Sequence, residues 1–450
     1  MFYKKYLNAK EIESRKKKFG FPNAKLIELL IYDYEIFRNL LKISDQFYLK
    51  GGAAAQLYMT LPEQRASKDI DVITSHTPEE IEEIFTKKLN STFATRKHIP
   101  AKITSNIPMV TYLVEADSVT EEGEKIEVKV DVMFEDIDNY KLTEAQPSEI
   151  FALNTEVKLP AISVGSLIGD KLLTLAHKSI GLPAEKLSEY PKQIYDIARI
   201  MKRIDKDTFS DILFSFKRII KTELKIRELE NTPEEIISHI FEILDNFANL
   251  DSPESLFKDY VRDFQSAYVN KKARKTNSEW IIDALVLVFL LRAVRDVIIK
   301  KKEINEIYDN WEKLIKEFSG ISSLKIDDKK ALREKLLDEL REKRTADWKK
   351  YKSSSEERIF LELKRFEGEK ILTLTDRLAL NYLKKIEKFE RIIQCSIYNI
   401  IFHSVTMPTG MNHFIVIPFV MLIFPKFNSH FILDKSPLII TGLTASISDL

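Results

Sequence analysis

The sequence has almost no cysteine: Cys395 is the only one in 450 residues. A single thiol excludes an internal disulfide framework and any cysteine-rich zinc site, and it fits a reducing, cytoplasmic setting. A dominant charge is missing as well. Seventy Lys and Arg stand against 69 Asp and Glu, a net charge of +1. The surface as a whole is therefore no attractor of nucleic acid, and RNA binding would have to come from local patches. The stretch 1–18 is crowded with Lys and Glu and lacks an apolar centre, so no signal peptide is expected. Long unbroken apolar helices are absent too. The most apolar one, 280–299, is interrupted by Asp283, Arg292, Arg295 and Asp296. It reads as a buried core helix, and no stable membrane insertion is expected.

What is present is concentrated near the start. Lys50-Gly51-Gly52-Ala53-Ala54 is followed by Arg65-Ala66-Ser67-Lys68-Asp69-Ile70-Asp71-Val72. Residues i and i+2 of a strand share a face, so Asp69 and Asp71 project side by side. Adjacent carboxylates need a neutralising partner, and a hard cation such as Mg²⁺ prefers oxygen ligands. The glycines let backbone approach a ligand closely, and their amides can meet phosphate. Downstream, Ile126, Val128, Val130, Val132 and Phe134 alternate with Glu127, Lys129 and Asp131, the period of a half-buried strand. Paired near Asp69 and Asp71, Asp131 completes a three-carboxylate site suited to metal-assisted nucleotidyl transfer, in which it can also accept the proton of an attacking hydroxyl.

A Gly-Gly turn, a helix and then Arg-x-Ser-x-Asp-x-Asp resembles the polymerase-β-like nucleotidyltransferase superfamily. Within it the pattern is similar to the AbiEii/MenT group, the toxin half of some toxin–antitoxin pairs. That group carries a downstream helical lysine and a Lys-Asp-x-x-Asp-like motif, which Lys171, Lys192 and Asp196 match, with Gln193 where an acid is usual. The resemblance spans roughly residues 25–300. It implies a Mg²⁺-dependent enzyme that moves NMP from an NTP to an acceptor hydroxyl, with the tRNA 3′ end as acceptor and a cognate antitoxin as partner. It also implies the roles. Asp69, Asp71 and Asp131 hold metal and, with Lys171, carry catalysis. Gly51, Gly52, Arg65, Ser67, Lys192 and Asp196 bind the nucleotide. Transfer to a small-molecule or protein hydroxyl is the alternative within enzymes, and a nucleotide-binding interaction protein without turnover is the alternative outside them.

The fold class expected is α+β: an N-terminal mixed sheet with helices over residues 1–160, then a mainly helical region over 161–391. Thr77-Pro78-Glu79-Glu80, Asn231-Thr232-Pro233 and Asp251-Ser252-Pro253 punctuate helices. The tail 392–450 departs from this pattern, with no charged residue between Ile392 and Pro425. Three readings of it stay open: a buried strand pair, a membrane-associated element, or non-native translation past a frameshift or lost stop codon.

Plain readings stand beside the functional ones. Asp69, Asp71 and Asp131 can be solvated strand acids. Lys171 can be a surface lysine, and His177 on the same stretch is more often structural than catalytic. Lys192 and Asp196, four apart, can form a helix-surface ion pair worth a few tenths of a kcal/mol. The basic runs 271–275, 300–302 and 341–352 follow an RNA backbone only if they converge on one groove.

Overall fold

The computed structural model describes residues 7–98, 108–134, 136–145, 158–343 and 348–369. The tail 392–450 lies outside the described residues.

Asparagine and threonine caps set the helix starts. Asn8 caps α1 (Ala9–Phe19), and Asn23 caps α2 (Ala24–Ile43). Helix α2 is buried almost all round, from Leu26 to Leu40. Its buried acid Glu28 is satisfied by the turn after a strand: Ser118 Oγ donates to it at 3.0 Å and the Val119 amide at 2.6 Å. Then follow β1 (Phe47–Lys50), α3 (Gly51–Tyr58) and β2 (Asp69–Thr74). Thr77 opens α4 (Pro78–Glu83) with a capping box to Glu80. Strands β3 (Ala94–His98), β4 (Met109–Asp117), β5 (Lys125–Met133), β6 (Leu142–Ala145) and β7 (Leu159–Ile162) complete the sheet.

Among the described residues the sheet has seven strands in the order β3-β4-β5-β2-β1-β7-β6. Antiparallel pairs mix with parallel ones, β2 with β5 and β1 with β7. Strand β2 lies between β1 and β5, where Ile70, Val72, Val128, Val130 and Val132 are fully buried. Helix α2 packs against β2 and β5.

Past β7 the described chain is helical: α5 (Val164–Leu173), α6 (Tyr190–Ile200), α7 (Lys206–Arg227), α8 (Pro233–Ala248), α9 (Phe257–Tyr268), α10 (Asn277–Ile298), α11 (Ile304–Ser322), α12 (Ile326–Lys343) and α13 (Glu356–Glu369). Capping boxes Thr232/Glu235 and Thr276/Glu279 start α8 and α10. The architecture is therefore α+β, a mixed sheet followed by a mainly helical part. The sheet and helices α1–α12 belong to one unit, Met1–Gly368. Helices α3, α5 and α6 pack on one another, which carries residues of the helical part to the sheet. No helix of the described residues is long and apolar enough to cross a membrane.

Candidate active site

Strand register puts the charges in one row. Lys50 of β1 lies opposite Asp71 of β2, Asp71 opposite Asp131 of β5, and Asp131 opposite Thr111 of β4. Directly opposed residues share a face of the sheet, so all four project the same way. Asp69 and Lys129 form the next pair on that face. Lys50, Asp69, Asp71, Lys129 and Asp131 line a cleft of about 830 Å³ together with Gly51, Gly52, Ser67, Lys171 and Lys192. The sheet thus brings together the three carboxylates that period-two alternation placed on two separate strands.

Gly51 explains how the backbone fits beside them. It adopts φ +62°, and a β-carbon there would sit 1.8 Å from Asp71 Oδ2. Only glycine lets the first residue of α3 pass so close to the carboxylate. At Gly52 a β-carbon would meet Ser67 Oγ at 2.8 Å and Arg65 Nη2 at 3.2 Å. The free amides at the start of α3 therefore open beside the carboxylate row, a place that favours anions. Gly51→Ala is expected to lower the transfer rate by about a hundredfold or more through misplacement of Asp71. Gly123 is the control. It has φ +81° but open space around it, so Gly123→Ala should cost about 1 kcal/mol of strain and leave transfer unchanged. Steady-state rates and melting curves of the two variants check this.

The Asp71 carboxylate makes no hydrogen bond or ion pair among the described residues, and its environment is hostile to charge. Burial, then the neighbouring Asp69 and Asp131, push its pKa up to about 6. Asp69 differs: burial disfavours its charge, but Lys192, Lys129 and Arg65 together hold it below the ordinary value. Lys192 Nζ lies 3.7 Å from Asp69 Oδ1. Asp131 is already engaged, accepting from Thr111 Oγ1 at 2.6 Å and paired with Lys129 Nζ. Among the described residues no three acidic, His or Cys groups stand ready-gathered around an ion. The residues still fit a divalent cation. An unpartnered carboxylate of raised pKa, flanked by two more on one face of a cleft, offers hard oxygen ligands in want of positive charge.

Behind the row lies a buried ionic hub. Arg65 holds Asp196 with a two-point grip, Nε to Oδ1 at 2.7 Å and Nη2 to Oδ2 at 2.6 Å, and neither side chain is exposed to solvent. Lys171 Nζ reaches the same carboxylate at 2.8 Å and donates to Gln193 Oε1 at 3.0 Å. Burial works against charge on Asp196, but Arg65 first and Lys171 next hold its pKa below the carboxylate norm. Burial lowers the pKa of Lys171, with Arg65 and Lys192 adding repulsion against the pull of Asp196. Gln193 matters here: a neutral amide leaves the hub with two cations to one anion. Arg65 and Asp196 thus tie α6 to the entry of β2, while Lys171 reaches the hub from α5. Lys192 pairs with Asp69 and with Glu189, not with Asp196 as spacing alone allowed.

Two groups were missed by sequence reasoning. Lys50 pairs with Asp170 at 3.1 Å and donates to Tyr140 Oη at 2.8 Å. In a four-residue strand its facing could not be read, although it directly precedes the glycines. Asp33 of α2 is buried with neither carboxylate oxygen hydrogen-bonded. Burial, and then the charges of Asp69 and Asp71, push its pKa well above the ordinary carboxylate range. His177 lies outside the cleft, 3.4 Å from Glu242. Among the described residues, none from the three basic runs contributes to the cleft lining, whose cations include Lys68, Lys186 and Arg227.

Residues 37–367 match the family described as nucleotidyl transferase AbiEii toxin of type IV toxin–antitoxin systems. The chain belongs to the AbiEii family. This AbiEii protein is therefore a nucleotidyltransferase of a toxin family, and the carboxylate row lies within the matched span. No protein of curated function matches its sequence. Among solved structures it is similar to MenT4, a nucleotidyltransferase toxin from Mycobacterium tuberculosis, with 12% identity, 64% of this chain and 92% of that one covered, and a TM-score of 0.35. It is also similar to an H. pylori protein named as a nucleotidyltransferase, with 13% identity, 63% and 96% covered, and a TM-score of 0.33.

Proposed function

We propose that this AbiEii protein transfers NMP from an NTP to an acceptor hydroxyl, with Mg²⁺ held by Asp69, Asp71 and Asp131. The observation that supports this best is the register of Asp71 with Asp131 beside the bare amides of Gly51 and Gly52. When bound, the metal would neutralise triphosphate oxygens and favour the ionised acceptor hydroxyl. The start of α3 receives phosphate, and Ser67 adds a hydroxyl donor beside Asp69. The acceptor oxygen bonds to the α-phosphorus, the bond to the bridging oxygen breaks, and pyrophosphate leaves. Asp131 takes the acceptor's proton once Lys129 swings away. Lys171 and Lys192 supply positive charge as pyrophosphate departs. Arg65 and Asp196 act on the nucleotide by fixing Lys171 and the entry of β2. In this proposal residues 1–160 are the nucleotidyltransferase catalytic domain and residues 161–391 the helical domain.

The acceptor we propose is RNA, the tRNA 3′ end, in a cytoplasmic setting with a cognate antitoxin as partner. Among the described residues the basic runs do not line the cleft, which favours a second acceptor class, a small-molecule or protein hydroxyl. Incubation of purified protein with each α-labelled NTP, Mg²⁺ and total RNA decides between them. Label on tRNA-sized bands is the expected result, and label on small molecules or on protein alone would displace the RNA reading.

Lys171→Ala is expected to lower transfer by about a hundredfold, the scale of losing one charge-stabilising group. Lys178, seven residues on, pairs with Glu242 at 2.8 Å away from the cleft, and Lys178→Ala should stay within about twofold of wild type. Equal kinetic losses in the two variants would remove Lys171 from the machinery.

A further inference from the structure

The cleft wall carries two chemically different surfaces, and the carboxylate row is only one of them. The other is formed by one face of α9, where Tyr260, Phe264 and Tyr268 recur every four residues and line the cleft with Ala267 between them. Phe264 is buried, while both tyrosine rings are half-buried. The rings are held in place. Tyr268 stacks on Phe264 with centroids 5.9 Å apart and planes at 25°. Tyr260 meets Phe257 edge-on at 6.3 Å. Lys68 Nζ sits 5.0 Å from the Tyr268 ring centre. Leu182 adds apolar surface to the same cleft.

This wall is fastened to the catalytic strand. The Ala66 amide donates to the Tyr268 carbonyl at 3.0 Å, and Arg65 bridges Val269 in antiparallel fashion. Tyr268 is thereby anchored three residues before Asp69 begins β2. Asp263 and the small Ala267, one turn apart on α9, also line the cleft. With cations and the start of α3 beside the carboxylate row and aromatic rings along α9, the lining suits a ligand that joins several negative charges to a flat ring. An 830 Å³ volume is of the size that holds one such molecule.

We infer that α9 is the nucleobase subsite, with the base of the triphosphate stacking against Tyr260 and Tyr268. The inference rests on the NTP reading of the site given above. Stacking uses the π-face that every base has, so it supplies affinity without base choice. Pre-fixed rings lose little rotamer freedom when the base arrives.

Equilibrium binding by the full chain tests this, using ATP, GTP, CTP and UTP and, as a base-free probe, inorganic triphosphate, all with Mg²⁺. Wild type should bind at least one NTP more tightly than inorganic triphosphate. Tyr260→Leu and Tyr268→Leu should each weaken that NTP by about 5- to 100-fold, with inorganic triphosphate within about twofold of wild type. Tyr260→Phe and Tyr268→Phe, which keep the ring, should restore NTP affinity. Melting curves confirm that each variant is folded. Unchanged NTP affinity in both leucine variants overturns the inference. So does equal weakening of NTP and inorganic triphosphate, which would mark a structural effect. A wild type that binds both probes equally overturns the base subsite while leaving the phosphate site standing. A wild type that binds neither overturns the NTP reading itself, and the subsite with it.

Discussion

Asp71→Asn is expected to abolish nucleotidyl transfer, by at least about a thousandfold, and yet to stabilise the metal-free fold. The two effects share one cause. Asp71 is buried beside Asp69 and Asp131, and that burial first, then the two neighbouring charges, raises its pKa from 3.8 to about 6. Between those values the folded chain keeps a proton that the unfolded chain has lost. Stability of the metal-free protein therefore falls as pH rises through that window, and the penalty is complete above about pH 6. Asparagine keeps the volume and removes the charge. At pH 7.5 the variant should gain on the order of 1–3 kcal/mol, and the gain should vanish below about pH 4. Added Mg²⁺ should stabilise wild type and leave the variant unmoved. Urea unfolding at two pH values, with and without Mg²⁺, reads all of this. A variant less stable than wild type at pH 7.5 would mean that Asp71 is a structural acid.

The second large effect belongs to Asp196. This carboxylate neutralises Arg65 and Lys171, both buried, and Gln193 offers Lys171 only a neutral carbonyl. Asp196→Asn strands two buried cations and is expected to cost about 3–5 kcal/mol. Adding Lys171→Met should recover part of that loss, since one stranded cation is then removed and its apolar stem is kept. Transfer should stay low in the double variant even where stability returns. Denaturant midpoints and rates for the single and double variants test this. A wild-type midpoint for Asp196→Asn would show that the hub carries no stability.

The geometry of the candidate site was legible in the sequence where its logic was local. Asp69 and Asp71 share a face by period two, Asp131 sits in a strict alternation, and Thr77-Pro78 with Glu80 announced a helix by its cap. The α+β order followed from those signals together with the helical spacing after residue 160. What stayed hidden depends on pairing across the chain. Arg65 and Asp196 meet from opposite sides of a 131-residue separation, and nothing in either neighbourhood names the other. Spacing offered Lys192 as the partner of Asp196, but a buried guanidinium with two-point geometry is the stronger partner. Strands β3, β6 and β7 carry no clear alternation: β3 is Ala-Thr-Arg-Lys-His and β7 contains Pro160. Their pairing comes from neighbours already in the sheet. The tyrosines of α9 look like any amphipathic stripe until the turn at Val269 fastens them to Arg65.

The most direct test of the account uses one NTP labelled either at the α- or at the γ-phosphate, with wild type and Asp69→Asn side by side. Nucleotidyl transfer at the carboxylate row predicts that wild type moves the α-label to the acceptor and releases the γ-label in pyrophosphate, and that Asp69→Asn does neither. Transfer of the γ-label to the acceptor, or α-label incorporation by Asp69→Asn at the wild-type rate, would contradict it.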